Sequence, residues 1–258
     1  MLMVQAAYAS RIRAVHPAEK AGFSMLCLLA CLLAGSSLVP LAAALVLTAA
    51  ALGWARMPLH VWAALCRMPL GFLLLAGAGL ALEIRGVRGA WSLPLGRHLF
   101  LGVTPASLSA ALHATARSLG CTLAMLFLAA TTPLTDLIAL MRRGRVPVLL
   151  IELLALSYRA IFLLQEAGDQ MRRAQASRLG YSGFRTSIRS SGLLIASLLG
   201  RSLVRAEASW RALLSRGYEQ TFTTQAPEYR TSRLRMTAGV VLGLGLVLLA
   251  GLSRRGHG

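Results

Sequence analysis

The chain has 258 residues, 56% of them hydrophobic and 14% charged, and a formal net charge of +18. Soluble domains average about 45–50% apolar, and the excess here is gathered in runs of about 14–20 residues, the size needed to cross a bilayer core. This excludes an ordinary soluble enzyme, and because the runs are continuous rather than alternating it also excludes a transmembrane β-barrel.

Nearly all the positive charge is arginine, with Lys20 the only lysine. In a membrane protein such a balance follows the positive-inside bias. No zinc finger, aromatic RNA-binding signature or winged-helix pattern accompanies it, so the expected partner surface is the bilayer and not nucleic acid. Cys27, Cys31, Cys66 and Cys121 lie in or beside apolar runs, which argues against a disulfide framework. The start of the chain is polar and basic and does not read as a cleavable signal peptide.

In chain order, residues 1–21 form a basic lead-in ending in HPAEK. GFSMLCLLACLLAG (22–35) and LAAALVLTAAALGWA (41–55) read as a hairpin of two short spans separated at SSLVP. RMPLHVWAALCR (56–67) reads as a polar-tinged joint before a third span, MPLGFLLLAGAGLALEI (68–84), whose glycines permit close helix packing. Residues 85–114 are mixed and broken by Pro94, Pro105 and several glycines. A fourth span is expected over 114–132. PLTDLIALMRRGRVP then reads as an amphipathic turn and helix, with Asp136 at its start. The apolar run 146–167 contains Glu152 and Arg159, seven apart and so on one helical face. From 168 to 235 twelve arginines face four acids. Recurrence of apolar residues at three and four there predicts an amphipathic helix. A last span covers 236–252.

The fold class expected is therefore an all-α polytopic membrane protein with five or six transmembrane helices and amphipathic cytoplasmic helices. It divides into N-terminal membrane helices (1–132), an amphipathic segment with a further membrane helix (133–167), cytoplasmic helices (168–235), and a terminal membrane helix with its tail (236–258). Topology does not close simply. Arg142, Arg143 and Arg145 and the block after 168 both favour the cytoplasm, yet they flank the run 146–167.

Catalytic patterns are absent: there is no G-x-S-x-G, no H-E-x-x-H and no Walker A lysine. Cys27 and Cys31 have an i, i+4 spacing that can hold a soft metal. They also fit as small apolar core residues, and His16, His60, His98, His113 and His257 are scattered. No metal site is expected. Glu152 and Arg159 are read as a structural ion pair, since ionisable groups at bilayer depth need partners.

One feature is duplicated. AQASRLGY (174–181) returns as ALLSRGY (212–218), with Arg178 and Arg216 38 positions apart. A small residue before Arg and a Gly after it describe a helix end carrying an exposed guanidinium. Arg is suited to bidentate capture of a carboxylate or of helix-terminal carbonyls. Two such tips would suit two similar partner sites, or they are ordinary helix endings met twice.

With HPAEK (16–20), the long stretch 131–181 and ALLSRGYE (212–219) in this order, the chain resembles the transmembrane (T) component of energy-coupling factor transporters, in the cobalt-type CbiQ branch. The resemblance covers nearly the whole chain and is strongest over 131–219. It implies a non-catalytic subunit that binds no cofactor and joins two ATP-binding-cassette ATPases, which bind ATP, to a substrate-binding membrane subunit for cobalt or nickel. It further implies a multi-pass protein of a bacterial or archaeal cell (inner) membrane, with metal ligands in the separate substrate subunit. Carried over, the ATPase-coupling motifs are Ser177-Arg178-Leu179 and Ser215-Arg216-Gly217. Leu179 stands where the family form has Gly, and Gly180 comes one position later. Competing readings are a membrane anchor that recruits an acidic protein without transporting anything, and a self-sufficient metal carrier using Cys27, Cys31 and Glu152.

Overall fold

The computed structural model describes residues 15–85, 92–94, 100–144, 146–217 and 233–255. The architecture is an all-α polytopic membrane protein, with one small sheet. In order, the elements are α1 (Pro17–Leu33), α2 (Leu38–Ala49), α3 (Leu59–Ala81), β1 (Glu83–Arg85), β2 (Ser92–Pro94), β3 (Phe100–Gly102), α4 (Pro105–Thr131), α5 (Leu134–Arg143), α6 (Val148–Ser177), α7 (Phe184–Leu214) and α8 (Arg233–Arg255). Among the described residues, α3, α4 and α6 are long and apolar enough to cross a membrane, and 38–54 and 239–253 form shorter apolar helices.

Local chemistry fixes several helix ends. Pro17 opens α1, and His16 caps it by accepting from the Ala18 N–H at 3.1 Å. Thr104 caps α4 and forms a reciprocal box with Ser107, ahead of which Pro105 takes the first helical position. A π-helical turn, Ala50–Trp54, extends α2. Arg56, at φ +47°, then turns the chain into α3.

The described residues divide into two compact units: those up to Leu137 together with α8, and those from Ile138 to 217. In the first unit α1 packs on α8, α4 and α2, while α4 also packs on α2 and α3. Phe23, Cys27, Cys31, Leu47, Ala124 and Phe127 belong to its buried core. The Phe23 and Phe127 rings meet edge to face with centroids 5.9 Å apart. Small residues let these helices close up. A Cβ added at Gly120 would lie 2.5 Å from Cys31 Sγ and 3.0 Å from the Pro40 carbonyl oxygen.

In the second unit α6 and α7 form a helical hairpin. α7 buries no residue fully. Ser187, Ser190, Leu194, Leu198 and Ser202 are half-buried on it at three- and four-residue steps, so one narrow stripe is covered. A Cβ on Gly168 of α6 would stand 3.5 Å from Leu198 Cδ1, which places that stripe against α6.

Four features differ from the sequence reading. The supposed joint 56–67 is largely helix, because α3 starts at Leu59 and runs through Pro69 to Ala81. An apolar helix tolerates an internal proline where neighbouring groups satisfy the freed carbonyl. α4 starts at Pro105 rather than 114, since the Thr104–Ser107 box starts a helix where apolarity alone gives no signal. Within the mixed region, three-residue strands pair antiparallel in the order β1-β3-β2, with Glu83 and Ser92 both opposite Gly102. The change in composition at Gly168 falls inside α6, which continues to Ser177.

Candidate functional site

The two arginine elements lie at the elbow between α6 and α7 and at the far end of α7. α6 ends at Ser177, and Arg178 follows as its cap. Leu179 then takes φ +58°, in the left-handed region. Its N–H donates to the Ala176 carbonyl at 3.0 Å, and the Gly180 N–H donates to the Gln175 carbonyl at 2.9 Å. These two bonds make a complete Schellman ending, with leucine in the seat glycine usually takes. At the end of α7 the pattern returns. Gly217 takes φ +69°, and its N–H donates to the Leu214 carbonyl at 3.1 Å.

The match extends to the neighbouring atoms. The Arg178 N–H donates to the Gln175 carbonyl and the Arg216 N–H to the Leu213 carbonyl, both at 3.1 Å. Ser177 Oγ donates to the Ala174 carbonyl at 2.9 Å, and Ser215 Oγ to the Ala212 carbonyl at 3.0 Å. Each serine hydroxyl thus folds back on its own helix instead of widening the tip. Ser177, Arg178, Leu179, Ser215, Arg216 and Gly217 are all exposed. Chemically, each tip offers one guanidinium on a narrow, hydrogen-bonded helix end.

The first tip is further braced. Tyr181 donates its hydroxyl to Gln175 Oε1 at 2.7 Å, and Gln175 Nε2 donates to the Ser190 carbonyl at 3.2 Å. Ser190 Oγ donates to the Gly180 carbonyl at 2.8 Å. The Arg172 guanidinium lies over the Tyr181 ring, 5.9 Å from its centre. At the start of α7, Thr186 Oγ1 accepts from the Gly183 N–H at 3.0 Å. This bracing was not read from the sequence, although Gln175 and Tyr181 lie within the repeated stretch.

A second polar feature also went unread. Lys20, in the first turn of α1, is fully buried and donates from Nζ to the Thr131 carbonyl at 3.2 Å. Asp136 and Glu19 are its electrostatic partners. Asp136 sits in the first turn of α5, where a negative charge favours the helix; its carboxylate is not the cap, since Pro133 precedes Leu134. Asp136 Oδ2, both Glu19 carboxylate oxygens, Ser24 Oγ and Thr132 Oγ1 are buried without a hydrogen-bond partner among the described residues. The sequence signal was a solitary lysine in a chain that otherwise uses arginine.

Other candidates are placed as follows. Glu152 is buried and Arg159, two turns on along α6, is exposed. Cys27 and Cys31 are fully buried in the core of the first unit, and Cys31 lies beside Cys121. Among the described residues no three of His, Cys, Asp and Glu gather as a metal-ligand group. His98 and His257 lie outside the described residues. On α7, Leu194, Leu198 and Leu213 are half-buried, whereas Val204 and Trp210 are exposed.

Comparison with known proteins matches residues 9–228 to the family CbiQ, described as cobalt transport protein. A cobalt transport protein CbiQ of Rhodobacter capsulatus is 36% identical over 203 residues, covering 78% of this chain and 75% of the relative. Another CbiQ, of Salmonella typhimurium, is 31% identical over 170 residues, 65% of this chain and 75% of the relative. A protein of Methanocorpusculum labreanum described as a fused cobalt transport protein CbiMQ is 30% identical over 185 residues, 70% of this chain and 30% of the relative. With a family match over most of its length and these relatives beside it, the chain belongs to the CbiQ cobalt transport protein family.

Proposed function

We propose that this chain is the transmembrane coupling (T) subunit of an ATP-driven importer of divalent cobalt, with nickel as the nearest alternative cargo. In this reading it catalyses nothing and binds no cofactor. Two ATP-binding-cassette subunits bind and hydrolyse ATP, and a separate membrane subunit captures the metal. The complex sits in a bacterial or archaeal cell membrane. A relative described as a fused cobalt transport protein supports a second component working beside this chain.

The observation that carries the reading is the duplicated tip. Ser177-Arg178-Leu179 and Ser215-Arg216-Gly217 share backbone conformation, serine back-bonding and exposed arginine. One geometry made twice by different sequences suits two similar receiving sites on two copies or homologues of one subunit. Closure of the ATPase pair on ATP would move the tips, and α6 and α7 would carry that motion to the membrane. Glu152 and Arg159 serve as a structural ion pair in this reading, not as a proton path.

The test is co-purification of ATPase subunits with the solubilised, tagged chain, scored with metal uptake by the assembled complex. Wild type is compared with Arg178→Glu, Arg216→Glu and the double variant. Removing a desolvated, hydrogen-bonded interfacial charge costs about 2–5 kcal/mol, so each single variant should lose ATPase or uncouple uptake. If all four proteins retain ATPase and uptake equally, the tips are ordinary helix ends and the proposal fails.

A further inference from the structure

The two tips match in backbone but not in what surrounds the arginine. At the second tip the left-handed residue is Gly217, which has no side chain to present. At the first it is Leu179, 74% exposed. A branched residue with φ +58° is strained, and the strain yields no burial within the chain. Five residues on, Phe184 opens α7 and is 85% exposed. Two large apolar side chains thus stand out at one elbow.

This patch is not a continuation of the apolar run of α6. Glu166, Asp169, Arg172 and Arg173 separate the two along the helix. From 170 to 206 the chain carries Arg172, Arg173, Arg178, Arg185, Arg189, Arg201 and Arg205 with no acid, so Leu179 and Phe184 sit in a wholly cationic stretch. Apolar groups in an arginine-rich stretch fit either anionic lipid or an apolar pocket rimmed by carboxylates. The bracing of the elbow decides between them. A lipid surface needs no fixed backbone, whereas the Gln175–Tyr181 and Ser190–Gly180 hydrogen bonds hold Leu179 in one strained pose. Preorganisation of this kind favours insertion into a shaped site.

We propose that Leu179 and Phe184 make the first tip an apolar plug that enters an acid-rimmed apolar pocket on the ATPase, so that the first tip anchors the partner more firmly than the second. This rests on the coupling reading above and adds that the two tips are not interchangeable. The serine–arginine core would be the shared part of both contacts and the plug the part peculiar to one.

The experiment uses the full chain in phosphatidylcholine nanodiscs and the ATPase subunit of the same transport system, measured by equilibrium binding. Each variant is made in the otherwise wild-type chain, so the second tip is the same in every comparison. Leu179→Gly removes the side chain and also relieves the backbone. Leu179→Asn keeps a residue that tolerates the left-handed region but makes it polar. Both, and Phe184→Ser, are expected to weaken binding about tenfold or more, while the chain elutes as a single species. If Leu179→Gly binds as tightly as Leu179, only the backbone shape matters and the plug is refuted, with the coupling reading intact. If replacing phosphatidylcholine by phosphatidylglycerol weakens wild type to the level of Leu179→Gly, the patch belongs to lipid and the plug is also refuted. If the chain with both tips intact takes up no ATPase, the coupling reading and the plug fall together.

Discussion

Leu179 and Gly217 hold the same place at two helix ends, at φ +58° and φ +69°, each immediately after an exposed arginine. The left-handed region costs an ordinary L-residue roughly 1–2 kcal/mol, and glycine escapes that cost. One tip therefore takes the easy route to its shape and the other a strained one.

The first prediction concerns the easy route. A Cβ at Gly217 would meet nothing within 4 Å, so substitution there tests the backbone alone. Gly217→Asn should leave ATPase co-purification close to wild type. Gly217→Val, β-branched, should lower it by about fivefold or more, in line with ~1–2 kcal/mol of strain. Equal behaviour of the two variants would show that the left-handed turn at the second tip is dispensable.

A second prediction concerns Lys20. Its ammonium is buried and held by the Thr131 carbonyl, and Asp136 acts on it electrostatically without a direct ion pair. Removing one of two buried, opposite charges that act on each other destabilises the fold, because the other is left less compensated. Lys20→Met should lower the apparent unfolding temperature in detergent strongly, and Asp136→Asn in that background should recover part of the loss. Strictly additive effects in the double-variant cycle would show that the two residues do not interact energetically.

What could be read from the sequence followed the physics of each signal. Long apolar runs located the membrane helices, because hydrocarbon thickness dictates their length. The two helix ends were legible because a glycine just past a helical run stops the helix; the pairing of Leu179 with Gly217 came from aligning the two stretches. The early start of α4 was missed because it depends on a cap at Thr104 and Ser107, a local hydrogen-bond pattern that hydropathy does not record. The β1-β3-β2 sheet was missed because three-residue strands carry too little pattern. Lys20 and Asp136 are 116 positions apart, and only the packing of α1 against the end of α4 brings them together.

The bracing of the first tip gives a third prediction. Gly180 has no space for a methyl group: a Cβ would lie 2.8 Å from Ser190 Oγ and 2.9 Å from the Gln175 carbonyl oxygen. The carbonyl is backbone and cannot swing aside. Gly180→Ala should loosen the elbow, seen as faster amide exchange at 175–190. Tyr181→Phe, which removes one hydrogen bond worth about 0.5–1.5 kcal/mol, should do so less. The reverse ranking would mean that the tyrosine hydroxyl, not the close backbone approach, sets the elbow.

The last prediction separates packing from metal chemistry at the cysteines. Cys31 Sγ faces Gly120, and the contact is so close that an added Cβ would lie 2.5 Å from it and 3.0 Å from the Pro40 carbonyl oxygen. Overfilling a packed interior typically costs about 1–3 kcal/mol. Gly120→Ala should therefore destabilise the chain measurably in thermal unfolding. Cys31→Ala in the same molecule vacates the sulfur's volume and should restore part of the stability, but not all, because the Pro40 carbonyl stays where it is. Cys27→Ala alone should lower stability modestly and leave uptake by the assembled complex unchanged. Loss of metal uptake in Cys27→Ala at unchanged stability would instead make the thiols ligands in the cargo path, and the reading of this subunit as a coupler without a metal site would have to be given up.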